Sequence, residues 1–374
     1  MPNLRCMIPG LLIGCLSSVV CVAEDVQTLA IGSPCPDFAL PGVDDEVHSL
    51  SDFSEAKLLL VIFTCNHCPT AQAYESRIKQ LHADYRDKGV QLVAISPNDP
   101  LAVRLDELGY SDIGDSLEDM KIHAERRGFE FPYLFDGETQ EASKAFGVLA
   151  TPQVYIFDAD RRLRYNGRID DDDIRPPKSH DTRNALDALL AGKPVPAETT
   201  RVFGCSTKWA DKRDSAEKSL QKWNAEPVTL DEIGADDLQK LIANDTENYR
   251  LINLWSITCI PCIAEQPEFV TINRMYRRRH FELVTLTTDH VDQKAHALRF
   301  LKQNHVSCRN LIFTGGDRDE LAEIVDPEWQ GPLPYTILIA PGGEILHRWK
   351  GEIDPQQVKT TISDLLGRTY ASRK

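Results

Sequence analysis

The chain has 374 residues, more than one hydrophobic core usually serves, so two domains are the starting expectation. Its 42 basic and 57 acidic residues leave a net charge of −15, which repels nucleic acid phosphates and anionic lipid headgroups and argues against either as a partner.

The N-terminus, MPNLRCMIPGLLIGCLSSVVCVAED, has one basic residue, Arg5, then an apolar stretch to Val22 and the small Ala23. That is the order of a signal peptide over residues 1–23, with cleavage after Ala23 and export to the periplasm or cell envelope. LIGC at residues 12–15 also reads as a lipobox, so a lipid anchor at Cys15 is the alternative processing. No later segment has the ~18–20 apolar residues that a membrane span needs. Export lets disulfides persist. Seven of the ten cysteines lie beyond Ala23, namely Cys35, Cys65, Cys68, Cys205, Cys259, Cys262 and Cys308, and an odd number cannot all pair within one chain.

KLLLVIFT (57–64) has the composition of a buried strand, and Cys65 and Cys68 follow at once. Tyr74, Ile78, Leu81 and Tyr85 recur at helical spacing, so Cys68 falls in or near the first turn of a helix. VQLVAISP (90–97), PYLFD (132–136), TPQVYIFD (151–158) and RRLRYNGRI (161–169) supply further strands, and NALDALLAG closes the unit as a helix. GKPVPAETT (192–200) reads as a linker and DKRDSAEKSLQKW (211–223) as a charged, solvated helix.

The same grammar then repeats. LINLWSIT (251–258) leads into Cys259 and Cys262, a helix marked by Phe269, Ile272 and Tyr276 follows, and FELVTLTT, NLIF, LPYTILIA and EILHRWKG are the later strands. The cysteine pairs are 194 residues apart, from 65 to 259. The expected fold class is therefore α/β, with two similar domains, each a central mixed sheet flanked by helices.

A strand that delivers Cys-x-x-Cys onto a helix N-terminus is a chemical arrangement, because the helix dipole and free amide N–H groups stabilise a thiolate there. The first cysteine then attacks, and its partner one turn on resolves the mixed disulfide. On these residues both halves resemble thioredoxin-fold domains. IGSPCPDFAL, VIFTCNHCP, AISPND and LATPQVYIFD, over residues 28–200, resemble the peroxiredoxin-like redoxins of AhpC/TSA type. LINLWSITCIPCIAEQPEF and GPLPYTILIAPGGEI, over 229–370, resemble TlpA/ResA-type thiol-disulfide oxidoreductases, leaving 201–228 as linker with a charged helix.

The resemblance implies redox couples at Cys65/Cys68 and Cys259/Cys262 and needs no cofactor beyond these redox-active disulfides. It makes Pro152 and Pro334 the cis-prolines beside each disulfide, where a substrate strand pairs, and Trp255 the strand tryptophan of the substrate site. Glu265 takes the position of a proton-transfer carboxylate, while Asn253 stands where thioredoxin has an aspartate. The implied partners are protein thiols or disulfides and a redox protein that recycles the chain. His67, between the first two cysteines, adds positive charge near Cys65 and should raise that couple's potential.

Several rivals stay open. No metal is expected, the strongest metal alternative being copper on Cys65, Cys68 and His67. Peroxide reduction by the first domain is the runner-up activity, although Cys65 and Val61 replace the threonine and proline of the peroxidatic pattern. A non-catalytic scaffold is a third. Cys205 is a candidate resolving thiol for Cys65, whereas Cys35 and Cys308 read as small packed residues.

Overall fold

The computed structural model describes residues 27–370, so the signal segment and Cys15 lie outside the described residues. A short hairpin, Ala39–Pro41 (β1) with Val47–Ser49 (β2), precedes the first large sheet. That sheet is built on Leu58–Phe63 (β3), whose six residues are all buried. Alternate side chains serve two cores, as the two-residue period of a strand requires. Leu58, Leu60 and Ile62 meet Tyr74 and Ile78 on one face, and Leu59, Val61 and Phe63 meet Phe146 and Tyr155 on the other.

Val90–Ser96 (β4) and Tyr133–Phe135 (β5) extend the sheet in parallel on one side of β3. Beyond the two-residue Ala150–Thr151 (β6), Gln153–Phe157 (β7) and Leu163–Gly167 (β8) run antiparallel on its other side, giving the order β5-β4-β3-β7-β8. The helices are Pro69–Tyr85 (α1), Leu117–Arg127 (α2), Glu141–Phe146 (α3) and Asp181–Leu190 (α4).

Cys205–Ser206 (β9) pairs with β6, and Arg213–Asn224 (α5) follows. Asp231–Ile233 (β10), Tyr249–Trp255 (β11), Phe281–Thr287 (β12), Arg309–Phe313 (β13), Tyr335–Ile339 (β14) and Ile345–Lys350 (β15) form the second sheet, in the order β10-β13-β12-β11-β14-β15. Its helices are Ala235–Ala243 (α6), Ile260–Tyr276 (α7), Lys294–Gln303 (α8), Arg318–Val325 (α9) and Pro355–Leu366 (α10). The strand that ends at the cysteines belongs to a parallel set of three in the first sheet and of four in the second, and in both the closing hairpin is antiparallel.

Two features differ from the sequence reading. Segment 201–228, read as a linker, is packed chain: β9 lies on β6, and Trp223 of the supposedly solvated α5 is buried beneath Arg274 of α7 and Arg277 just after it. The charged composition conceals this, because one aromatic among many charges carries the packing. The other is Pro267 inside α7, which lacks the N–H that would bond the carbonyl one turn earlier and so interrupts the helix ladder behind Cys262.

The two halves meet through residues 104–115. Leu105 and Leu108 pack into the second sheet's core against α7 and α10. Tyr276 donates its hydroxyl to the Ser111 carbonyl at 2.8 Å, and Arg279 bonds the Gly109 carbonyl at 2.6 Å while lying 3.8 Å over the Tyr110 ring. Asp112, 4% exposed, accepts from Arg368 at 2.5 Å, Thr360 at 2.6 Å, Gln356 at 3.1 Å and Arg126 at 3.2 Å. Burial opposes its ionisation, but these donors, Arg368 foremost, hold the carboxyl at about 2.

Removing one partner of a buried ion pair leaves the other uncompensated. Arg368→Ala should therefore cost roughly 2–4 kcal/mol in urea unfolding at pH 7. The Asp112 carboxyl lies below its unfolded value, so its contribution is complete above the ordinary carboxylate range and fades as pH falls from about 4 toward 2. The gap between wild type and variant should close over that acid window, and a gap independent of pH would exclude this pair as its source.

Candidate functional site

The strand β3 ends at Phe63, and the chain turns through Thr64–His67 before α1 begins at Pro69, whose fixed φ and missing N–H suit a first helical position. Cys68 is the N-cap, and its Sγ accepts from Ala71 N at 3.4 Å. The structure pairs Cys68 with Cys205 and leaves Cys65 a free thiol. This differs from the expectation: the Cys65–Cys68 bond is not the one formed in this state, and Cys205 pairs with Cys68 rather than with Cys65. The reason is local: β9 lays Cys205 opposite Thr151, whose carbonyl oxygen is 3.5 Å from Cys68 Sγ, while Cys65 Sγ turns to the Thr151 hydroxyl at 3.2 Å. Cys65, Cys68 and Cys205 remain in one cluster.

His67 faces the interior, 2% exposed, and is held by a residue that sequence reading missed. Its Nδ1 is 2.5 Å from Asp115 Oδ2. Asp115, 1% exposed, also accepts from Asn98 Nδ2 at 2.7 Å and from the backbone N–H groups of Asn66 and His67 at 2.9 and 3.2 Å. Burial works against the imidazolium, yet the Asp115 carboxylate and the neighbouring Cys65 sulfur outweigh it and lift His67 well above the ordinary imidazole value. Asp115 is correspondingly held low.

Donor atoms of Cys65, His67 and Asp115 all lie within 4.8 Å of one another, close enough to suggest a metal. Both Asp115 oxygens are already filled by hydrogen bonds, so the cluster reads as a thiol–imidazolium–carboxylate triad. Asp115 sits in an aperiodic acidic loop 48 residues from His67, where nothing in the sequence singles it out.

At the second site Cys259 and Cys262 are bonded to each other. Cys259 caps α7, its Sγ accepting from Cys262 N at 3.3 Å; it is partly exposed, whereas Cys262 is fully buried. One turn on, Glu265 accepts from Asn253 Nδ2 at 3.1 Å and from Ile353 N at 3.2 Å. Burial pushes its carboxyl up to about 7 against the pull of those two hydrogen bonds. Asn253, itself bonded to Thr336 and Gln266, thus aims the carboxyl rather than titrating.

The Thr151–Pro152 and Leu333–Pro334 bonds are both cis. The strand edge beside Pro152 is already occupied, because β9 pairs there, so Pro152 does not present a free substrate edge as expected. Trp255 also differs from expectation: fully buried against Phe300, among residues that include Cys262, it supports the site from below and offers no exposed face to a substrate. Burial pushes the Cys35 and Cys308 thiols up to about 12, consistent with packed, unreactive groups.

Residues 31–166 match the AhpC/TSA family. The chain carries an AhpC/TSA domain. It is also similar to the thiol-disulfide oxidoreductase ResA of Geobacillus thermodenitrificans, 24% identical over 149 residues that span 39% of this chain and 75% of that one. Among solved structures it is similar to an uncharacterized conserved protein from Geobacillus kaustophilus, with 41% identity over 48% of this chain and 92% of that one and a TM-score of 0.43. A thiol:disulfide interchange protein DsbE from Chlorobium tepidum matches at 24% identity, 37% and 85% coverage and a TM-score of 0.31. With its thioredoxin-like fold, the chain is an oxidoreductase; Cys65 and Cys68 lie within the AhpC/TSA match and Cys205 beyond it.

Two outcomes follow from the electrostatics. Asp115→Asn removes the main support of the imidazolium, so His67 should lose its proton within the ordinary range, and thiol exchange at Cys65/Cys68 should acquire a new break between about pH 5 and 8. A profile identical to wild type would show that the carboxylate does not govern His67. Glu265→Gln should erase a break near pH 7 in exchange at Cys259/Cys262. It should also remove a destabilisation that develops as pH rises from about 4.5 to 7, because the folded carboxyl holds its proton longer than the unfolded one. Urea unfolding at pH 8 should then find the glutamine variant the more stable.

Proposed function

We propose that the mature protein is an exported thiol-disulfide oxidoreductase of two thioredoxin-like domains, 28–200 and 229–370, that exchanges disulfides with protein substrates at two separate cysteine sites. The observation that carries this reading is the Cys259–Cys262 disulfide at the start of α7, with one sulfur partly exposed and the other buried above a carboxyl held near neutrality. A substrate thiolate attacks Cys259 Sγ, Cys262 leaves as thiolate, and Glu265 supplies its proton. In the reverse direction Cys259 attacks a substrate disulfide and Cys262 resolves the mixed disulfide, with Glu265 taking the proton back.

Support comes from the likeness to ResA and to DsbE, both thiol-disulfide enzymes by name. The signal-peptide pattern of residues 1–23 supports export, and among the described residues no helix is long and apolar enough to cross a membrane. In a chain whose first site is silenced by Cys65→Ser, Cys68→Ser and Cys205→Ser, adding Cys259→Ser should abolish insulin reduction. Adding Cys308→Ser should leave it nearly intact. Equal losses would misplace the site.

A second reading is favoured by one observation: the first site's disulfide joins a helix-capping cysteine to a distant one. A peroxidase would produce that bond. Cys68 thiolate would attack a peroxide oxygen and release water or alcohol, and Cys205 would displace water from the resulting sulfenic acid. With Cys65 in place of the peroxidatic threonine, hydrogen peroxide should be reduced much more slowly than a protein disulfide; stopped-flow rates for both substrates decide between the readings.

A further inference from the structure

The expected first site was a two-cysteine couple, but three sulfurs gather there, and they differ in access. Cys65 is 3% exposed and Cys68 fully buried, whereas Cys205 is partly exposed. What holds Cys205 in place is more than its disulfide. On one side Phe203 packs against Tyr74, ring centroids 6.2 Å apart, and Gly204 (φ +148°) passes so close to Thr151 that a Cβ would lie 2.1 Å from its carbonyl oxygen. Cys205 and Ser206 pair with Thr151 and Ala150.

On the other side Lys208 is nearly buried. Its N–H donates to Asn98 Oδ1 at 2.8 Å, its carbonyl accepts from Asp99 N and Gln140 Nε2 at 2.9 Å each, and its ammonium meets Glu107 at 2.7 Å. None of these bonds involves either sulfur, so what anchors the segment beside Cys68 does not depend on the disulfide. A resolving cysteine on a free segment would swing away.

We propose that residues 203–208 form a fixed strap that makes Cys205 the outer thiol of a three-cysteine relay, with Cys68 in the middle and Cys65 innermost. This rests on the exchange activity proposed above and assigns its point of entry at the first cysteine site. A thiolate of a dithiol partner attacks Cys205 Sγ; the Cys68–Cys205 bond breaks, and Cys68 leaves with the electron pair, received by the Ala71 N–H at the start of α1. The partner's second thiolate attacks its own sulfur in the mixed disulfide. Cys205 is released, and the partner departs oxidised by two electrons.

Inward transfer needs no outside reagent. Cys65 thiolate attacks Cys68 Sγ, a Cys65–Cys68 bond forms, and Cys205 leaves as thiolate; the proton lost at Cys65 is balanced by one gained at Cys205. Both Cys65 and Cys68 sulfurs touch Thr151, and the His67 ring has a nitrogen within 4.8 Å of the Cys65 sulfur. The disulfide thus moves between an outer position that partners can reach and an inner one that they cannot.

The test uses oxidised, mature, full-length protein opened with reduced glutathione, acid-quenched, and mapped by peptide mass. In wild type the glutathione adduct should appear on Cys205. Cys205→Ser should contain a Cys65–Cys68 disulfide that glutathione reduces at least about tenfold more slowly, because both of its sulfurs are buried. Cys205→Ala repeats the measurement without a hydroxyl in the strap. An adduct on Cys65 or Cys68 in wild type, or a Cys205 variant that opens as fast as wild type, overturns the relay while insulin reduction persists. Absence of insulin reduction in the wild type would overturn the exchange reading itself, and the relay with it.

Discussion

A carboxylate shut away from water has to be filled with hydrogen bonds or give up its charge, and Asp115 is filled. Two backbone N–H groups, an amide and an imidazole converge on its two oxygens. Those bonds do more than satisfy the anion. The backbone donors belong to Asn66 and His67, so the same carboxylate that charges the imidazole also fixes the turn that carries Cys65 toward Thr151. Without it the turn would present buried, unpaired amide groups, which cost about 1–3 kcal/mol each.

Asp115 is itself placed from a distance. Its loop ends in Asp112, gripped by Arg368, Thr360 and Gln356 of the second half, and its other carbonyls are bonded by Tyr276 and Arg279. The geometry of the first cysteine cluster is therefore completed by residues more than 160 positions further along the chain. Beside it lies a cavity of about 290 Å³, lined by Pro100, Asp115, Met275 and Gln356 among others, so the bonds and the packed Leu105 and Leu108 border a gap.

Much of the architecture was legible because it depends on local periodicity. Strands β3 and β11 announced themselves as unbroken apolar runs, and the cysteines at their ends marked the sites. Glu265 and the two prolines could be placed by resemblance alone. The sulfur pairing could not, since it depends on β9, two residues long and set in a polar segment, lying on β6 some 55 positions earlier. His67 was visible but its surroundings were not: a histidine reads the same in sequence whether solvated or locked against a carboxylate. Trp255 shows the opposite failure, where a correct position was assigned the wrong face, because strand alternation does not say which side a partner will approach.

The break in the ladder at Pro267 gives α7 a mechanical property that an unbroken helix would lack. The helix is 17 residues long, about 25 Å, with Cys259 capping one end and Met275 and Tyr276 gripping the first half at the other. A stiff rod would turn any tilt at the cysteine end into leverage on the clamp around Ser111 and Asp112. A joint about two turns from the tip would absorb that tilt instead. The turns before Pro267 carry Cys259 and Cys262, and those after it carry Met275 and Tyr276, which pack against the first half of the chain.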